Sequence, residues 1–139
     1  MIELVYTGPE VEVLPGADVP FNGVVGGCCE RYEADTNTLT LTRPGKYLIC
    51  ASANMELPAD GVTTSELALS IVTNGSVVAG GTMVTTPGNI ARRNNVSTQV
   101  LVIVYPNSSK TVGLRNTSVD AIVSDQVLVA VRVGGVCNV

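Results

Sequence analysis

The chain contains no histidine and no tryptophan, one phenylalanine, and lysine only at Lys46 and Lys110. Each shortage excludes something. Without histidine, neither a Ser-His-Asp nor a Cys-His nucleophilic arrangement can be assembled, and a mixed Cys/His metal site is ruled out. The four cysteines, Cys28, Cys29, Cys50 and Cys137, lack the paired C-x-x-C hooks of a zinc site. Adjacent Cys28 and Cys29 pair poorly with each other, which leaves structural thiols or one or two disulfides to other partners; no metal is expected. The glycines between Gly23 and Gly27 match no phosphate-binding spacing, and no Lys-Ser/Thr follows them, so no nucleotide cofactor is expected. No apolar run is long enough to cross a membrane, and no start has the basic residues and apolar core of an export signal. The expectation is a protein that stays in the cytoplasm, leaves it within a larger particle, or has a leader outside this sequence.

Aromatic bulk comes from Phe21 and four tyrosines, so the core must be packed from aliphatic side chains. Valine and threonine are abundant, 14 glycines and 7 prolines punctuate the runs, and long helix-forming patterns are missing. β-branched enrichment with frequent turn residues predicts an all-β domain. At 139 residues there is room for one domain. A net charge of -4 argues against binding nucleic acid. Acidic residues crowd the first third: Glu3, Glu10, Glu12, Asp18, Glu30, Glu33 and Asp35, against Arg31 alone. Arg92 and Arg93 either face that surface on a neighbouring subunit or sit on a solvated loop.

The organising stretch runs from Thr38 to Ala53. Thr38, Thr40 and Thr42 alternate with Leu39 and Leu41, the period of a strand with one dry face. Pro44-Gly45 predicts a type II turn closing a hairpin. From Lys46 through Ala51 the next strand is apolar on both faces, which predicts a central position. Before it, Pro9, Pro15 and Pro20 suit residues 1–18 to an arm or first edge strand. Val19-Pro20-Phe21-Asn22 reads as the first strand of a domain spanning 19–135, Gly23–Gly27 as a mobile link, and 136–139 as a tail. After it, Ser65–Val72 is a strand, Asn74-Gly75 is the strongest hairpin signal, and Gly80-Gly81 marks a bend or bulge. Val96–Tyr105, Lys110–Asn116 and Ala121–Val133 follow, with Asp125 marking a break. Eight to ten short strands describe a β-sandwich or jelly roll. Strands dry on both faces need a second cover, and symmetry-related copies supply one, so a closed oligomer is expected.

This order of motifs resembles the superfamily of tumour necrosis factor and the complement globular heads, most closely its bacterial and phage branches. The likeness rests on Val19-Pro20-Phe21-Asn22, Leu39-Thr40-Leu41, Pro44-Gly45-Lys46-Tyr47, the Leu67–Val72 strand ending at Asn74-Gly75, the Ser97–Val104 strand, Val112–Asn116 and Leu128–Val133. It covers roughly residues 20–134. It implies a ten-stranded jelly roll forming a homotrimer, with one sheet lining the threefold axis and recognition by loops or grooves between subunits. Candidate axial residues are Tyr47, Ile49, Leu101, Ile103, Tyr105, Val129 and Val131; Tyr47 and Tyr105 read equally well as ordinary core aromatics. The chain departs from the animal members in its scarcity of aromatics, and no Gly-X-Y stalk precedes the domain.

The functional expectation is a non-enzymatic structural or attachment protein of a phage virion: a head fibre, capsid decoration or receptor-binding knob. The acidic N-terminal segment would then dock on a capsid or tail protein. The alternative is a head module on a bacterial cell or spore surface, binding a glycan or protein receptor. Carboxylate pairs able to attack a sugar lie mainly in turns and in the acidic N-terminal third, where solvation explains them. Candidate ligand-binding residues are Asn89, Arg92, Arg93 and Asn94 in one polar loop and Asn116 and Asp120 in another. Asn74, Asn95, Asn107 and Asn116 begin glycosylation triplets of the kind that Ser/Thr-rich loops create by chance.

Overall fold

A computed structural model describes residues 1–27 and 30–136. Among them the chain forms eleven strands: β1 (Ile2–Val5), β2 (Val11–Val13), β3 (Gly23–Gly26), β4 (Arg31–Glu33), β5 (Thr38–Leu41), β6 (Gly45–Glu56), β7 (Leu67–Thr73), β8 (Ser76–Thr85), β9 (Asn94–Val104), β10 (Lys110–Asn116) and β11 (Ala121–Gly134). Two antiparallel sheets result. One has the order β3-β1-β11-β6-β9, with β2 also paired to β11; the other has the order β4-β5-β10-β7-β8. The core between them is aliphatic. Ile2, Leu4, Ile49, Ala51 and Leu128 of the first sheet and Leu39, Leu41, Leu69, Ile71 and Leu114 of the second are all buried. Full burial of one such branched side chain is worth about 1.5–3 kcal/mol, so a core of this type holds the sandwich without tryptophan.

The Asn74-Gly75 turn forms as expected. Both residues take positive φ, 49° and 82°, the combination of the two-residue turn whose twist matches paired strands. A register shift between Ser70 and Val72 in the β7–β8 ladder, with Gly80 at φ 79°, is the expected bulge.

Other readings are corrected. Thr38–Ala53 is not a hairpin: β5 pairs with β4 and β10, whereas β6 pairs with β9 and β11 in the opposite sheet. The Pro44-Gly45 step is a crossover between sheets. Gly45 takes φ 156°, far from a type II turn, and an added Cβ would collide with Arg132 Nε and lie 2.8 Å from the Gly134 carbonyl. Arg132 Nε donates to Pro44 O at 3.0 Å and Tyr47 Oη donates to Arg43 O at 2.7 Å, fixing the crossover from both sides. Val19–Asn22 forms no strand. Its N–H of Val19 donates to Leu114 O at 2.7 Å, while Val19 and Phe21 insert into the core. The Gly23–Gly26 link is instead an edge strand on β1. Consequently β1 lies inside the sheet, between β3 and β11, rather than on an arm or edge. Asp125, at φ 51°, does not end a strand. It is a bulge that shifts the register between Ser124 and Val127, so that inward positions change from Ala121 and Val123 to Gln126, Leu128 and Ala130.

Candidate functional site

Two regions of the surface carry features beyond folding. The first is the outer face of the six-stranded sheet. Alternation along β6 sends Tyr47, Ile49, Ala51 and Ala53 to the core and Leu48, Cys50 and Ser52 outward. On β9 the outward residues are Ser97, Gln99, Leu101 and Ile103, and on β11, beyond the bulge, Val127, Val129 and Val131. Strand register aligns these in rows: Val131–Leu48–Leu101, then Val129–Cys50–Gln99, then Val127–Ser52–Ser97. The first row is wholly apolar, and Leu101 at its end is 65% exposed. Tyr105, just beyond β9, is 55% exposed. The second and third rows line a shallow depression of about 430 Å³. Cys50 sits in it as a free thiol, its Sγ 3.9 Å from Gln99 Oε1. Cys28, Cys29 and Cys137, and the disulfides considered for them, lie outside the described residues.

Of the seven candidate axial residues, five belong to this side of the sheet: Leu101, Ile103, Tyr105, Val129 and Val131. Tyr47 and Ile49 do not. Both are fully buried in the core of their own chain, and so cannot face a neighbour. The phase error arose because β6 is apolar on both faces; the exposed Lys46, which shares the phase of Leu48, is the only local signal of which face turns out. Leu48 was missed for the same reason; Val127 shares the phase of Val129 and Val131 on β11 and was not named with them.

The second region is the end of the sandwich where β6 and β10 finish and β9 and β11 begin, which gathers both candidate polar loops. Asn89 and Arg92 are exposed there, and Asp120 is half-buried. Arg93 is engaged within its own chain: it lies 2.9 Å from Glu10 Oε2 and 4.0 Å from Glu56 Oε2. Burial raises the carboxyl pKa of Glu56 above its ordinary value. The hydrogen bond and charge of Glu10 push the same way, and Arg93 opposes them. The acidic N-terminal third does meet Arg93, but in the same subunit. Likewise Asp18 pairs with Arg115 at 3.2 Å. Asn94 donates to Thr85 Oγ1 at 2.9 Å. Asn116 is no ligand residue, because it is fully buried and serves the loop that follows it. The Asn116 glycosylation triplet is therefore closed in the folded chain.

No protein-family model and no curated protein sequence matches the chain. Its backbone, however, superposes on solved structures over nearly its whole length. The Eiger TNF of S. frugiperda gives a TM-score of 0.69 at 10% identity, covering 99% of this chain and 95% of that one. The globular domain of the zebrafish complement 1qA protein gives 0.65 at 13% identity, with 95% of each chain covered. Murine APRIL gives 0.58 at 14% identity, over 95% and 97%.

The fold is that of tumour necrosis factor and the complement globular heads.

The resemblance read from the motif order is thus supported at the level of architecture, through animal proteins, with eleven described strands where ten were expected. At such identities the likeness extends to the fold alone, and not to any one branch.

Proposed function

We propose that the chain is a non-enzymatic structural or attachment head that assembles as a homotrimer through the outer face of its six-stranded sheet. The observation that carries this reading is the apolar row Val131–Leu48–Leu101, continued by Ile103 and Tyr105, on a face where Leu101 and Tyr105 are mostly exposed in the single chain. Contiguous apolar surface of this kind marks an interaction site, and self-association around a closed axis covers it with the fewest distinct contacts. The setting proposed is a phage virion, as a head fibre, capsid decoration or receptor-binding knob. It is supported by the motif resemblance and by an acidic, lysine-poor surface. Glu12 and Leu14 are among the exposed residues that the N-terminal segment offers to a capsid or tail protein.

A second setting, a head on a bacterial cell or spore surface that binds a glycan or protein receptor, draws on the exposed Asn89 and Arg92. Light scattering tests the assembly: a mass near three times 14.4 kDa, constant across concentration, is expected. A monomer at every concentration would overturn it. Antibody labelling of purified phage particles, compared with bacterial and spore surfaces, distinguishes the two settings.

A further inference from the structure

The exposed large apolar residues are not scattered evenly. Leu14, Val62 and Val119 come from three different loops, are 57%, 65% and 46% exposed, and converge on one end of the sandwich. Between these loops lies a pocket of about 330 Å³ lined by Pro15, Pro58, Asp60, Val62, Val119 and Asp120, among others. Its size is at the lower end of ligand sites. The walls are held in place. Asn116 Nδ2 bridges the carbonyls of Val13 and Val119, tying the loop before Pro15 to the loop carrying Asp120. Turn bonds from Gly61 N to Pro58 O and from Ser65 N to Val62 O, each 2.9 Å, shape the third wall. A preformed pocket loses less ordering entropy on binding.

Its charge is one-sided. Asp60 and Asp120 both line it, and among the described residues neither has an ion-pair partner. None of the eight cationic side chains lines it. Arg93, at the same end, is already matched by Glu10 and Glu56. A pocket whose lining combines Pro15, Pro58, Val62 and Val119 with two carboxylates outside any ion pair complements an aliphatic stem ending in a cation.

We infer that this pocket is a docking site for a protein partner that presents a lysine or arginine next to an apolar side chain. The amine or guanidinium is held by Asp60 and Asp120, while the neighbouring apolar group covers Val62 and Val119. None of the lining residues belongs to the apolar row on the outer sheet face, so this inference is tested separately from the trimer.

The test is an NMR titration of the isotope-labelled full chain with N-acetyl-leucyl-lysine amide, against N-acetyl-leucyl-glutamine amide. Saturable shifts confined to Val62, Ser65, Val119 and Asp120 are expected with the lysine peptide. Binding of the neutral peptide should be roughly tenfold weaker, as should binding of the lysine peptide to the Asp60→Asn/Asp120→Asn double variant. Equal binding of both peptides, no saturable shift, or a response at these residues to calcium chloride but not to peptide would overturn the inference. The two-peptide comparison needs no variant, so it remains decisive even if the double substitution disturbs the loops.

Discussion

The side-chain amide of Asn116 donates to the carbonyl of Val13 at 2.8 Å, joining residues 103 positions apart. The same nitrogen donates to Val119 O at 2.8 Å, and Oδ1 accepts from the N–H of Ser118 at 2.9 Å and from its hydroxyl at 2.8 Å. One buried amide thus supplies partners for three backbone groups in two stretches of chain, the end of β2 and the loop before β11.

Removing that amide should be costly. Asn116→Ala removes the side-chain partner of the buried Val13 carbonyl and of the part-buried Val119 carbonyl and Ser118 N–H, and a loss of about 2–4 kcal/mol is expected. Urea denaturation monitored by circular dichroism measures it. A loss below about 0.5 kcal/mol would show that solvent replaces the amide without difficulty.

The outer sheet face predicts a separation of assembly from folding. Leu101→Glu places a charge where the side chain is mostly exposed in the single chain, so the fold should survive while the oligomer dissociates. Light scattering should report a monomer with an unchanged circular dichroism spectrum. Cys50, in the depression beside that row, should be alkylated faster in the variant, as read by peptide mass mapping. Equal rates and equal masses would place the subunit contact elsewhere.

Glycine at the crossover should be irreplaceable in a way that glycine at the hairpin is not. Gly45→Ala meets Arg132 and the Gly134 carbonyl, whereas Gly75→Ala meets nothing within 4 Å and bears only the strain of φ 82°. The hairpin substitution should cost about 1–2 kcal/mol, the crossover substitution distinctly more. Thermal melts of the two variants side by side decide this.

The Glu10–Arg93–Glu56 cluster predicts a pH trend of definite sign. Burial, then Glu10, raise the Glu56 carboxyl pKa in the folded chain above its ordinary value of 4.5. Across the interval above that value the folded state holds more proton than the unfolded state, so this group's contribution to stability falls as pH rises and is recovered on acidification. Glu56→Gln should remove this part of the slope. The effect should stay below about 1 kcal/mol, because Arg93 and Glu10 are half exposed. Denaturation midpoints from pH 4 to pH 7 would show it as a converging pair of curves; parallel curves would contradict it.

Much of the fold was legible in the residues. Side-chain patterning marks Ser65–Val72, Val96–Tyr105 and Lys110–Asn116 as strands, which the structure has at Leu67–Thr73, Asn94–Val104 and Lys110–Asn116, and Asn74-Gly75 makes the turn it predicts. The candidate site was less so. Leu101, Ile103 and Tyr105 could be placed on one face of one strand, but Tyr47 and Ile49 were grouped with them when they belong to the core. Asn116 looked like any polar loop residue, and Arg93 like a free cation, because nothing local to either reveals the Val13 carbonyl or the Glu10 carboxylate that meets it. The pocket between Pro15, Pro58 and Val119 had no sequence signal, since its walls come from three loops far apart in the chain.

What the sequence by itself determined is therefore the all-β class, the aliphatic core and the positions of most strands and of the tight turn. These follow from side-chain period and from the φ values that particular residues tolerate, both of which act over a few neighbouring positions. Only the tertiary structure decided that Pro44-Gly45 crosses between sheets, that Asp125 shifts the phase of β11, and which face of β6 turns outward. A strand's alternation is unchanged when its two faces are exchanged. The choice between them is made by long-range pairing, which buries the Tyr47 face against the second sheet and turns the Leu48 face outward.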